Sequence, residues 1–197
     1  MSKKALYIHG LASGSNSKTG NLLKQYLTRY EWTMAEVNHH CEESLEVIEH
    51  LLEELQPDIV CGTSLGGFFT LCLADKIQGR MLLVNPVLDA KEGNDIRQFI
   101  GENRYFCKRL DKAKTFMLTK EDCDGMRSKD FIVQQIQGNR ERIDVWYSPK
   151  DEVLGEHYHL YYEEVFGCRA HRSLQMGHSM TEEFIAGDLL QFVNELS

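Results

Sequence analysis

Residues 58–77 restrict the fold more than any other stretch. A short apolar segment, Ile59-Val60-Cys61, leads through Gly62-Thr63-Ser64-Leu65-Gly66-Gly67 into a second apolar segment, Phe68-Phe69-Thr70-Leu71-Cys72. The first reads as a buried strand and the second as a buried helix. The residues between them match G-x-S-x-G with an added glycine, in the strand-to-helix context that this motif requires. A strand that turns sharply into a helix crowds its own backbone. Small residues two positions away on each side of the serine let the chain pass itself closely. The hydroxyl then stands at a helix N-terminus, where partial positive charge favours an oxyanion. The alternative is a glycine-rich turn that binds phosphate. Against it, the Gly-Lys-Ser/Thr ending of a P-loop is missing, and so is G-x-G-x-x-G.

The remainder of the chain repeats this alternation. Further strands are predicted at residues 5–9, 33–37, 80–85, 143–147 and 170–174, besides the one at 58–62. Helical spacing covers residues 19–30, with Thr19 as cap, and residues 42–55, which Pro57 stops. Helices also read at 65–77, 155–166 and 181–196. The middle, from Val87 to Arg140, shows no clear strand but has helical stretches near 96–106 and 128–137. Strands separated by helices imply parallel pairing, because a parallel return needs a crossover. The expected architecture is an α/β, doubly wound, mostly parallel sheet of about six strands, forming one domain over residues 1–197. Chemistry in such sheets gathers at the carboxyl ends of the strands.

Those ends carry the partners that a serine nucleophile needs. His178, in Met176-Gly177-His178-Ser179-Met180, follows the last strand and suits the role of general base. Asp151, in Ser148-Pro149-Lys150-Asp151-Glu152-Val153, follows the fifth strand and can orient the histidine, with Glu152 as its neighbouring competitor. The order is Ser64, then Asp151, then His178. His9-Gly10-Leu11 closes the first strand. There the backbone N–H of Leu11 pairs with that of Leu65 as an expected oxyanion hole. His9 itself reads as a residue that shapes the loop.

Composition narrows the function. The chain of 197 residues has a net charge of −8, 42% hydrophobic and 26% charged residues. That balance lacks the basic footprint of a nucleic-acid binder. No stretch approaches the ~20 apolar residues of a membrane span. Six cysteines without a C-x-x-C pair, and no signal-peptide pattern at the start, imply free thiols in a cytoplasmic protein. Cys61 and Cys72 lie in apolar contexts and read as core residues.

Together, Tyr7-Ile8-His9-Gly10, Gly62-Thr63-Ser64-Leu65-Gly66-Gly67-Phe68-Phe69, Val84-Asn85-Pro86, Asp151-Glu152-Val153-Leu154 and Gly177-His178 resemble the α/β-hydrolase superfamily. Within it, the chain resembles the small YqiA/YcfP-type esterases. The resemblance implies a minimal sheet lacking the first two antiparallel strands of larger relatives. It also implies a triad of Ser64, Asp151 and His178, and activity without cofactor on small-molecule acyl esters or thioesters. It leaves residues 87–140 as a small helical lid or side insertion that would set substrate choice. Other scissile bonds (peptide, lactone or carbon–carbon) and a non-catalytic binding role on the same fold are the alternatives.

Two clusters are set aside at this level. His39-His40-Cys41 invites a zinc reading, but no second group of donors stands at matching spacing, so no metal is expected. Lys108, Arg109, Lys112 and Lys114 read as solvated surface, with an anionic substrate such as a coenzyme A ester as the alternative.

Overall fold

A computed structural model describes residues 2–155 and 157–196. Six strands form one sheet in the order β2-β1-β3-β4-β7-β8, and every neighbouring pair is parallel. The strands are β1 (Lys3–Ile8), β2 (Tyr30–Met34), β3 (Ile59–Thr63), β4 (Arg80–Val84), β7 (Ile143–Tyr147) and β8 (Ala170–Arg172). From β1 the chain steps outward to β2, then crosses back over β1 to β3. The winding direction therefore reverses at the β1/β3 boundary, where open α/β sheets bind their ligands.

Alternation along β1 shows how the two faces are filled. Leu6 and Ile8 belong to the apolar cluster that also takes in residues of α2 (Cys41–Leu55), α3 (Leu65–Cys72), α6 (Lys129–Asn139) and α7 (His157–Phe166). Ala5 and Tyr7 face the opposite cluster, built on α1 (Lys18–Tyr26) and the C-terminal helices. Leu6 and Ile8 are fully buried. Each such side chain stabilises the fold by about 1.5–3 kcal/mol relative to exposure.

Several elements differ from the sequence expectation. The first helix is capped by Ser17, whose Oγ accepts from Gly20 N at 3.1 Å, and not by Thr19. It ends at Tyr26, because Tyr30 and Trp32 alternate inward as the start of β2, and Trp32 Nε1 donates to Leu27 O at 3.2 Å. β2 therefore lies at Tyr30–Met34, earlier than the expected 33–37. The middle segment does contain strands. After a short α4 (Asn94–Arg97), β5 (Gly101–Arg104) and β6 (Thr115–Leu118) pair antiparallel as a separate hairpin. Helix α5 (Lys120–Asp124) follows, closed by a capping box between Thr119 and Asp122. The expected helix at 155–166 is seen as His157–Phe166, and residue 156 lies outside the described residues. The closing helix is not uniform. α8 (Glu182–Phe184) passes through a π-helical turn (Ile185–Leu189) into α9 (Leu190–Glu195).

Arg109 is no surface cation. It is buried, and its guanidinium donates to Ser13 O at 3.0 Å and Val37 O at 2.9 Å and pairs with Glu36 at 3.0 Å. These contacts fasten the hairpin segment to the loops after β1 and β2. Lys108, Lys112 and Lys114 remain exposed.

Candidate active site

Ser64 sits between β3 and α3 with φ 51° and ψ −119°. A non-glycine residue there is strained, and such strain clusters at functional positions. Its neighbours show why they must be small. A Cβ on Gly66 would stand 2.2 Å from Ile8 O, and one on Gly62 would stand 2.4 Å from Thr70 Oγ1. The turn is held by Ser64 N donating to Val84 O at 3.0 Å and by Val87 N donating to Ser64 O at 3.1 Å.

Ser64 lines a cavity of about 490 Å³ together with Gly10, Leu11, Phe106, His178 and Met180, among others. His178 presents Nδ1 to Asp151 Oδ2 at 2.8 Å. The other oxygen, Asp151 Oδ1, accepts from Val153 N and Leu154 N, each at 2.8 Å. Burial works to raise the Asp151 pKa, but hydrogen bonding and charge from His178, with the two amides, outweigh it and hold the carboxyl below its usual range. An acceptor-only carboxylate leaves Nδ1 as the donor, so the imidazole Nε2 is free to accept a proton. Glu152, the competing acid, instead accepts the backbone N–H of His178 at 3.0 Å.

Leu11 and Leu65 line one small recess beside this cavity, with His9 and Gly10. Leu65 opens α3, and the first amides of a helix lack an intrahelical partner. Gly10 passes so close that a Cβ there would lie 3.0 Å from Ser64 Cβ. Behind this loop, the His9 ring meets Gly10 O at 2.8 Å through Nδ1 and accepts from Val37 N at 3.3 Å through Nε2. Burial lowers its pKa to about 4, so it stays neutral and braces the loop.

One residue of consequence was not singled out as a site residue in the sequence. Asn85, fully buried at the end of β4, donates through Nδ2 to Gly177 O and His178 O, both at 2.9 Å, and accepts from Ser148 N at 2.9 Å. Ser148 Oγ adds a bond to Met176 O at 2.6 Å. The loop carrying Asp151 is thus tied to the loop carrying His178. The available signal was an asparagine before a proline at a strand end, where a short polar side chain suits a φ of 43°.

A family model described as an uncharacterised protein family, UPF0227, matches residues 4–181. The chain belongs to the UPF0227 family. No curated protein matches the sequence. Among solved structures, this UPF0227 chain is similar to Est1E from Butyrivibrio proteoclasticus with ferulic acid bound. That match has a TM-score of 0.74 and 13% identity, over 98% of this chain and 88% of that one. The esterase domain of a Rhodothermus marinus protein matches with TM-score 0.69 and 16% identity, over 98% and 87% of the two chains. The Paleococcus ferrophilus monoacylglycerol lipase matches with TM-score 0.64 and 14% identity, over 98% and 93%. The UPF0227 chain therefore has the α/β-hydrolase fold. Among the described residues, no helix is long and apolar enough to cross a membrane.

Proposed function

We propose that this chain is a serine hydrolase that cleaves carboxylic esters or thioesters of small acyl substrates. The observation that carries the reading is the Asp151–His178 pair, 2.8 Å apart, with His178 lining the cavity that Ser64 also lines. Ser64 Oγ attacks the acyl carbonyl while His178 Nε2 takes its proton. Asp151 holds the Nδ1–H and stabilises the imidazolium. The oxyanion rests against the backbone amides of Leu11 and Leu65. His178 returns the proton to the departing alcohol or thiol, and water then releases the acyl group by the same steps in reverse order. The cavity of about 490 Å³ is of small-molecule size. Neighbours named as esterases and a lipase favour an ester over a peptide bond.

The test is a series of p-nitrophenyl esters and acyl thioesters of rising chain length, beside Ser64→Ala. The expected result is turnover on part of the series, with Ser64→Ala slower by about 10³-fold or more. Equal activity in Ser64→Ala, or no turnover on any member, would reject the reading.

A further inference from the structure

We propose that His39, His40 and Asp122 form a binding site for one divalent metal ion, with Zn²⁺ the ion whose chemistry fits best. The two histidines follow β2, whereas Asp122 comes 82 positions later, in the first turn of α5. Folding brings one ligand atom of each within 4.8 Å of the others. The adjacent Cys41 does not join them. Two imidazoles and one carboxylate are a borderline donor set that suits Zn²⁺, while Ca²⁺ and Mg²⁺ favour all-oxygen sites.

A bare hydrogen bond accounts for only part of the cluster. His40 Nδ1 donates to Asp122 Oδ1 at 2.7 Å, which satisfies those two atoms. His39 is left over. Its side chain is 8% exposed, and its Nε2 lies 3.8 Å from Asp122 Oδ2, beyond hydrogen-bond reach. Its Nδ1 is buried and makes no well-formed hydrogen bond among the described residues. Buried polar atoms are nearly always paired, so an orphaned imidazole nitrogen is costly. A metal ion between the three groups would engage Nε2, the nitrogen that faces Asp122.

A shared ion sets the spacing of its ligand atoms. Tetrahedral bonds of about 2.1 Å set ligand atoms about 3.4 Å apart. His40 Nδ1 lies 2.7 Å from Asp122 Oδ1 and His39 Nε2 3.8 Å from Asp122 Oδ2, so one imidazole approaches each carboxylate oxygen, and small side-chain rotations would bring both nitrogens onto one ion. The ligands are also held from behind. Thr119 N and Thr119 Oγ1 donate to Asp122 Oδ2 at 2.8 and 2.7 Å. The His39 ring packs between Phe116, at 4.9 Å, and His40, at 4.1 Å. Such outer contacts orient ligands and raise affinity. His40 is 47% exposed, which opens an entry path and leaves a position for water. On binding, the His40 proton moves from Nδ1 to the opposite ring nitrogen, so the ring ligates as a neutral imidazole.

The ion would join the loop after β2 to the segment inserted between β4 and β7. His39 lines the small recess that Leu11 and Leu65 also line, but Ser64 and His178 do not. Its role is therefore to brace that recess, with no step in acyl transfer.

The experiment titrates chelator-stripped protein with Zn²⁺ by calorimetry and with Co²⁺ by visible absorption. The expected result is one ion per chain, bound with a dissociation constant tighter than about 100 µM, and a thermal midpoint that rises with metal concentration. The Co²⁺ spectrum should show d–d bands without the near-ultraviolet charge-transfer band of thiolate ligation. His40→Ala changes a half-exposed side chain, and Asp122→Asn keeps the side-chain shape. Each variant, shown folded by circular dichroism, should bind at least about 100-fold more weakly, since losing even an outer-sphere contact costs 10–100-fold. Weaker wild-type binding, a thiolate band, or unchanged affinity in both folded variants would overturn the site.

Discussion

Replacing Asn85 should loosen the relation between Asp151 and His178 while leaving both side chains chemically unchanged. Its side chain makes three buried hydrogen bonds, to Ser148 N, Gly177 O and His178 O, each at 2.9 Å. At about 1 kcal/mol net for each bond, their loss amounts to about 3 kcal/mol. Asn85 also holds φ at 43°, a conformation that costs alanine about 1 kcal/mol more. Asn85→Ala is therefore expected to lose about 4 kcal/mol, and Asn85→Gly, which accepts the backbone angle freely, about 3 kcal/mol. Asn85→Asp keeps the acceptor for Ser148 N but sets a carboxylate oxygen against two carbonyls, and should resemble the alanine variant. Urea unfolding followed by circular dichroism measures the stability. Ester hydrolysis well below each variant's midpoint measures kcat/KM. Displacing the histidine by about 1 Å should lower kcat/KM about 100-fold, mostly through kcat. The reasoning fails if Asn85→Gly loses less than about 1 kcal/mol, or if the folded variants stay within about threefold of wild type in kcat/KM.

Acid should destabilise the fold through His9. Its folded pKa of about 4 lies below the unfolded 6.5, so its contribution is present above pH 6.5 and is lost as pH falls toward 4. That contribution is about 3 kcal/mol, and urea unfolding across this pH range should show a slope that His9→Asn flattens. Gly66→Ala should leave little folded protein in soluble expression, because its Cβ would meet the backbone oxygen of Ile8 at 2.2 Å. Phe106 is 87% exposed yet lines the cavity, so Phe106→Ala should leave the thermal midpoint unchanged. It should raise KM several-fold for long acyl chains but not for acetate, in a kinetic series over chain length.

The parts of the fold that were legible in the sequence share a cause. β3, β4 and β7 are buried on both faces, and such strands appear as apolar runs that need no context to recognise. The loops bearing Ser64 and Asp151 were legible through their positions after β3 and β7, and the His178 loop through its place between β8 and the closing helices. The hairpin was not, because β5 reads Gly-Glu-Asn-Arg and β6 turns only Phe116 and Leu118 inward, too few residues for a period. Asn85 was obscured for another reason. Its partners lie 63 to 93 positions away, so the asparagine before Pro86 marks a special backbone angle but not the bonds it makes. Likewise the approach of Asp122 to His39 and His40 spans 82 positions and has no local mark. The exposed reading of Arg109 failed because local charge says nothing about the carbonyls of Ser13 and Val37 that receive it.

The central claim is that Ser64 is the group that becomes acylated. Treatment with a fluorophosphonate, followed by peptide mapping by mass spectrometry, addresses it directly. The account predicts one adduct, on the peptide containing Ser64, formed far more slowly in His178→Ala. An unmodified Ser64, or labelling at another residue with the same rate in both proteins, would contradict it.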